Sequence, residues 1–171
     1  MQIAILLFDR FAAIDAVTLH GALSVLPDAD AAFVAHEPGP VRDDTRRLEL
    51  TADAALHEMP RPDVLAVPGG DGAALAAPNG AIETWIGSAV QHGAWVVTVA
   101  SGALLAARAG VLTGRRVVAP EHLHHQLTHF GAHPVLDRTV IARPMASARS
   151  TSSVAHLITT LATHLESKGI R

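Results

Sequence analysis

Two patterns of apolar positions alternate along the chain. Residues 2–8 form a near-continuous apolar run, as expected of a strand covered on both faces. After Asp15, the positions Leu19, Ala22, Leu23 and Leu26 fall at helical spacing, and residues 31–35 read as a second strand. Residues 63–67 are another apolar strand, ending in Pro68-Gly69-Gly70-Asp71-Gly72. Ile82, Trp85, Ile86, Ala89 and Val90 mark an amphipathic helix that leads into a further strand at Trp95. Residues 37–60 carry Pro and Gly turns around the alternating Leu48-Glu49-Leu50, which predicts a small antiparallel excursion rather than another crossover. The clearest helix runs through Val154, Leu157, Ile158, Leu161, Ala162 and Leu165, with Ser150 or Thr151 as its cap. Strands alternating with helices imply an α/β fold: a doubly wound, mostly parallel sheet with helices on both faces. Such sheets bind ligands beyond the carboxyl ends of their strands, where Asp15, Gly69-Gly70 and Ala100-Ser101 should converge.

The run Trp95-Val96-Val97-Thr98-Val99-Ala100-Ser101-Gly102-Ala103 reads as a buried strand turning sharply into a helix, with small residues at the turn. A turn of this kind holds one side chain over a helix N-terminus, where backbone N–H groups and the helix dipole favour negative charge. Ala100 stands where a nucleophile belongs. Its neighbour Ser101 reads either as a small residue at a tight turn or as a hydrogen-bond donor to ligand. Asp15 reads either as a helix N-cap or as a carboxylate facing the pocket, and Gly69-Gly70 either as a plain turn or as a backbone donor aimed at a bound oxygen.

A length of 171 residues with 49% hydrophobic positions predicts one domain spanning 1–171. The net charge is −3, and Arg46-Arg47 and Arg115-Arg116 are isolated pairs. Binding to nucleic acid or an anionic membrane therefore has no electrostatic footprint, and the expected partner is a small molecule or another subunit. The N-terminal apolar run is too short for a membrane span and lacks a basic start or cleavage site, so it reads as the first strand of a cytoplasmic protein. The absence of cysteine excludes disulfides, a thiolate nucleophile and thiolate metal sites. No cofactor is expected.

Histidines invite a metal reading, since His125 and His129 lie four apart with His133 beyond and His122 and His124 before. Leu123, Leu127 and Phe130 form the opposite, buried face of that helix, so the histidines should be solvated and no metal is expected. Glu121-His122 differs, because it follows Ala119-Pro120 at a strand end and is placed to supply an acid or base at the pocket edge.

These places together resemble the ThiJ/PfpI superfamily, which has a flavodoxin-like, class I glutamine amidotransferase-like fold. The similarity is greatest to the isonitrile hydratase-like branch and to the amidase-like domains of AraC-type regulators. It rests on Leu6-Leu7-Phe8, Ile14-Asp15-Ala16-Val17, Glu37-Pro38-Gly39-Pro40-Val41, Leu50-Thr51-Ala52-Asp53, Val67-Pro68-Gly69-Gly70, Ser101-Gly102-Ala103-Leu104-Leu105-Ala106 and Gly110-Val111-Leu112-Thr113-Gly114-Arg115-Arg116, in the family's order. By this resemblance the nucleophilic cysteine falls on Ala100, the following Thr or Ser on Ser101, and the acidic residue on Asp15. The oxyanion-type backbone donors fall on Gly70 and Ser101. Gly69, Gly102, Glu121, His122 and Arg149 complete the substrate-binding set. The histidine seen after the next strand in relatives falls at or beside Pro120, the usual Gly-Pro after the acidic position is Thr18-Leu19, and the late Gly-Gly loop is Arg149-Ser150.

Three readings follow. The first is a hydratase- or lyase-type enzyme that uses Asp15 as general acid/base, with an oxyanion site at Gly70 and Ser101 and no covalent intermediate. The second is a non-catalytic ligand-binding relative, and the third a trapped Ala100 form of a cysteine-dependent enzyme. The resemblance also implies a homodimer, for which Leu19 and Leu23 on the first helix, with the small Ala16 and Gly21, offer a packing face.

Overall fold

Strand β1 (Gln2–Leu6) is apolar at almost every position because both its faces are covered: Ile3 and Ile5 pack to one side, Ala4 and Leu6 to the other. The computed structural model describes residues 1–75 and 80–166. From β1 the chain passes to α1 (Ala13–Leu23) and then to β2 (Asp30–Ala35). Strands β3 (Gly39–Arg42) and β4 (Glu49–Ala52) form the expected antiparallel excursion, and β5 (Ala54–Ala55) returns to pair in parallel with β2. There follow β6 (Val64–Val67), α2 (Asp71–Leu75), α3 (Gly80–Gln91), β7 (Trp95–Val99), a 3₁₀ turn (Ala100–Gly102) and α4 (Ala103–Arg108). The C-terminal part holds β8 (Arg116–Val118), α5 (His124–His129), β9 (His133–Val135), β10 (Thr139–Ala142), β11 (Met145–Ala148) and α6 (Val154–Glu166).

Seven strands form the main sheet in the order β10-β11-β7-β6-β1-β2-β5, parallel throughout except where β10 meets β11. Apolar residues of α1 and α6 cover one face with Ile3, Ile5, Val64, Ala66, Val97 and Val99, while α3 and α4 cover the other with Ala4, Leu6, Leu65, Val67 and Val96. The fold is therefore the expected flavodoxin-like α/β type. Strand order reverses between β1 and β6: β1 leads outward to β2, and β6 leads the other way to β7. The crevice outside their carboxyl ends is where such a sheet receives a ligand.

Several expectations change. Leu7 and Phe8 leave the strand, although the Leu7 N–H still reaches the Val34 carbonyl at 2.7 Å. Leu19 and Leu23, expected to face a second subunit, are fully buried in the chain's own core, as is Ala16. The large apolar residues that α1 exposes are Ile14 and Val17, 66% and 52% exposed, and Gly21 is exposed as well. Phe130 is 38% exposed rather than part of a buried face. Ser150 precedes the turn that opens α6 without a side-chain capping bond. No helix among the described residues is long and apolar enough to cross a membrane.

Candidate functional site

Asp15 lies in the first turn of α1 and is only 4% exposed. It does not cap that helix, since Ala12 holds the cap position and no side-chain bond forms there. Its carboxylate instead bridges the switch point. The Gly69 N–H, just beyond β6, donates to Oδ2 at 3.0 Å, and the Thr151 hydroxyl, ahead of α6, donates to Oδ1. Burial of an ionised carboxylate is tolerable when donors satisfy it, and each of these oxygens has one.

Gly69 is glycine for steric reasons. A Cβ there would stand 2.8 Å from Asp15 Oδ2, 3.2 Å from Ala100 Cβ and 3.3 Å from Ser101 Oγ. The three segments named from sequence thus meet at one atom's breadth. Gly70 has φ +126°, and a Cβ on it would lie 2.4 Å from the Arg10 carbonyl oxygen and 2.5 Å from the Ala12 nitrogen. Its neighbour Gly69 accepts the Ala12 N–H at 2.7 Å. Gly102 is likewise forced, with its Cα pressed against the Val67 and Pro68 carbonyls, 2.4 and 2.5 Å from where a Cβ would sit.

Ala100 has φ +48°, the left-handed region that costs a non-glycine residue roughly 1–2 kcal/mol. The elbow therefore keeps a strained backbone around a methyl group. Ser101 Oγ lies 3.0 Å from both the N–H and the C=O of Gly70, accepting from one and donating to the other. The Gly70 N–H, expected to be free for a ligand oxygen, is thus engaged by the serine. The Ser101 N–H, in the first turn of a helix, has no intrahelical acceptor.

A cleft of about 430 Å³ opens over this centre, lined by Asp15, Gly70, Ala100 and Ser101 together with His122 and Arg149. Gly69 and Gly102 are buried behind it, and Glu121 is exposed and outside its lining. Arg149 donates to the Leu136 carbonyl, while its Nε is buried without a partner. His124 is half-buried rather than solvated, with Nε2 donating to the Ala119 carbonyl at 3.1 Å. Among the described residues no three His, Asp or Glu side chains are grouped to hold a metal ion.

Sequence reasoning missed Thr151, Asp44 and Asp71, which also line the cleft. Thr151 was one of two candidates, with Ser150, for the cap of the last helix, whereas its hydroxyl serves Asp15. Asp44 lies in the loop after β3, where burial pushes its carboxyl above the ordinary aspartate range and the charges of Asp43 and Asp71 push it further. Asp71 is paired with Arg10 at 3.3 Å. Asp43 behaves oppositely. Burial raises its pKa, but hydrogen bonds from the Thr45 hydroxyl and the Leu48, Arg47 and Thr45 amides outweigh that and hold it below the ordinary range. An acidic pair in sequence thus separates into a loop brace and a cleft carboxyl, a division that adjacency alone does not signal.

Comparison with known proteins agrees with this fold. The profile of the DJ-1/PfpI family matches residues 1–163. The isonitrile hydratase of Pseudomonas putida is 31% identical over 140 residues, covering 82% of this chain, and the match spans 61% of that enzyme's length. A ThiJ/PfpI family protein from Pseudomonas syringae superposes with TM-score 0.88 at 25% identity over 96% of this chain and 68% of its own. A cysteine-to-alanine mutant of a DJ-1 superfamily protein from Salmonella typhimurium superposes with TM-score 0.85 at 24% identity, over 98% of this chain and 91% of its own. With the family profile covering nearly the whole chain and the fold's switch point carrying the residues just described, the chain belongs to the DJ-1/PfpI family.

Proposed function

We propose that this protein is a small-molecule hydratase in which Asp15 is the general base and no covalent intermediate forms. The observation that carries the reading is the Asp15 carboxylate itself: buried, oriented by Gly69 and Thr151, and on the wall of the cleft over Ala100. A carboxylate fixed on the cleft wall accepts a proton from water at a defined position, an effect worth about 10²- to 10⁴-fold in rate. The Ser101 N–H, and the Gly70 N–H once the Ser101 hydroxyl turns toward a ligand, supply donors for developing negative charge. His122 and Arg149 line the cleft and would contact the substrate.

The relative's activity suggests the substrate class, an isonitrile. Water adds across the N≡C group, its oxygen bonding to the terminal carbon, and the product relaxes to an N-substituted formamide. The test is incubation of the protein with alkyl and aryl isonitriles in ¹⁸O-labelled water. Formamide carrying one ¹⁸O, formed at a rate proportional to protein, is expected. No product from any isonitrile would overturn the reading in favour of a ligand-binding relative.

The strained backbone at Ala100 favours a second reading, that the elbow is shaped for a nucleophilic thiol. Under that reading Ala100→Cys raises turnover by orders of magnitude, with Asp15 steering the thiolate. We also propose a homodimer formed through Ile14 and Val17, which replace the buried Leu19 and Leu23 as the available apolar face of α1.

A further inference from the structure

We propose that Asp44 is the proton donor of the hydration, completing with Asp15 an acid–base pair across the cleft. The inference rests on the hydratase reading and adds a residue to it. Addition of water to a polarised multiple bond needs one proton taken from water and another delivered to the substrate. An ionised carboxylate has no proton of its own to give in the step in which it takes one from water.

Asp44 lines the same cleft as Asp15, and its backbone is fixed there. Its N–H donates to the Phe11 carbonyl at 2.9 Å, and Phe11 also bridges to Asp43 in parallel fashion. One residue on, the Ala12 N–H reaches Gly69, the residue that donates to Asp15. Asp43 braces the loop from within by accepting the Thr45 hydroxyl and the Arg47 and Leu48 amides, which leaves its neighbour on the cleft side. Asp44 has no ion-pair partner among the described residues.

The charged groups around it favour its neutral form. Burial does most to raise its pKa, and Asp43 from its own loop and Asp71 from α2 add to this by repelling an ionised Asp44, against the smaller opposing effect of the Thr45 N–H and its own N–H. Arg10 is engaged with Asp71, and Arg46 with Asp9 at 3.4 Å, so neither cation is committed to Asp44. His122 and Arg149 line the same cleft. Two carboxyls thus occupy one cleft in contrasting settings, Asp15 with a donor on each oxygen and Asp44 beside like charges.

The step balances without any further reagent. Protonated Asp44 gives its proton to the substrate carbon, while Asp15 takes one from the water whose oxygen bonds to that carbon. After product release Asp15 returns its proton to solvent and Asp44 takes one up, restoring both groups.

The test measures pH profiles of kcat and KM for wild type, Asp44→Asn, Asp44→Glu and Asp71→Asn, with whichever isonitrile the wild type hydrates. Asp44→Asn is expected to lower kcat about 100-fold or more with KM changed less than about threefold, and Asp44→Glu to recover part of the loss. In the wild type the rate falls as pH rises through the Asp44 pKa, and in Asp71→Asn that limb moves to lower pH because one repelling charge is gone. A merely structural Asp44 would leave the limb in place. Retention of kcat within about threefold in Asp44→Asn, or an unmoved limb in Asp71→Asn, overturns the inference while the hydratase reading stands. A wild type inert on all isonitriles overturns both.

Discussion

Ala100 carries the clearest conflict between local preference and the fold. Its φ of +48° is disfavoured for any residue with a Cβ, yet the turn from β7 into α4 requires it. Ala100→Gly should relieve the strain against the entropic cost of glycine and is expected to stabilise by up to about 1 kcal/mol in urea denaturation. A loss larger than that would show that the methyl packs better than its backbone suggests. That Asp15, Ala100 and Ser101 come together was legible in the sequence because Ala100 and Ser101 follow the end of β7 and Asp15 lies in the first turn of the helix after β1, on the edge where a parallel sheet gathers its ligand groups, though only the family resemblance turned Asp15 from a helix cap into a pocket residue. Thr151 was not, since its bond to Asp15 joins residues 136 positions apart and its neighbourhood reads equally well as a helix start. Asp44 was hidden by Asp43, for an adjacent pair of acids says nothing of which one turns inward. Titration separates them. Asp43 has a lowered pKa in the fold, so its contribution to stability is complete above its ordinary value and disappears as pH falls through the lowered one. Asp43→Asn is therefore expected to be less stable than wild type at pH 7 and to converge with it in acid, as read by urea midpoints. A gap that persists at low pH would assign the loss to shape rather than charge.

At the scale of elements, the strongly periodic segments were readable and the short ones were not. Strands β1, β6 and β7 announced themselves because burial on both faces demands unbroken apolar runs. The pair β10–β11 was missed, because Thr139–Ala142 and Met145–Ala148 are four residues each and Arg143-Pro144 between them gives no hairpin signature. Strand β5, two residues long, is held by pairing with β2 rather than by any pattern of its own. Helices α3 and α4 are joined by an ion pair that sequence spacing does not reveal. Arg108 Nε lies 3.2 Å from Glu83 Oε1 with both side chains under 15% exposed, and Arg108 also donates to the Ala73 carbonyl at 2.9 Å. Removing one member leaves the other charge buried and unmatched, so Glu83→Ala is expected to cost about 3–5 kcal/mol. Thermal or urea unfolding checks this, and a cost under about 1 kcal/mol would mean that water reaches Arg108.

For the whole molecule, the doubly wound sheet places its switch point between β1 and β6, and every group assigned a chemical role stands around it. The outer face of α1 borders that site, since Ile14 both lines the cleft and stands exposed beside Val17. Light scattering should therefore report a dimer for wild type and a monomer for Val17→Lys, whereas a wild-type monomer at micromolar concentration removes the subunit contact. The central claim is that the Asp15 carboxylate performs proton transfer, and exchange of one oxygen for nitrogen tests it most directly. Asp15→Asn keeps the side chain's shape but accepts no proton. Isonitrile turnover is expected to fall by at least about 100-fold while the circular dichroism spectrum and the Ala100-side fold persist. Full activity in Asp15→Asn would contradict the account.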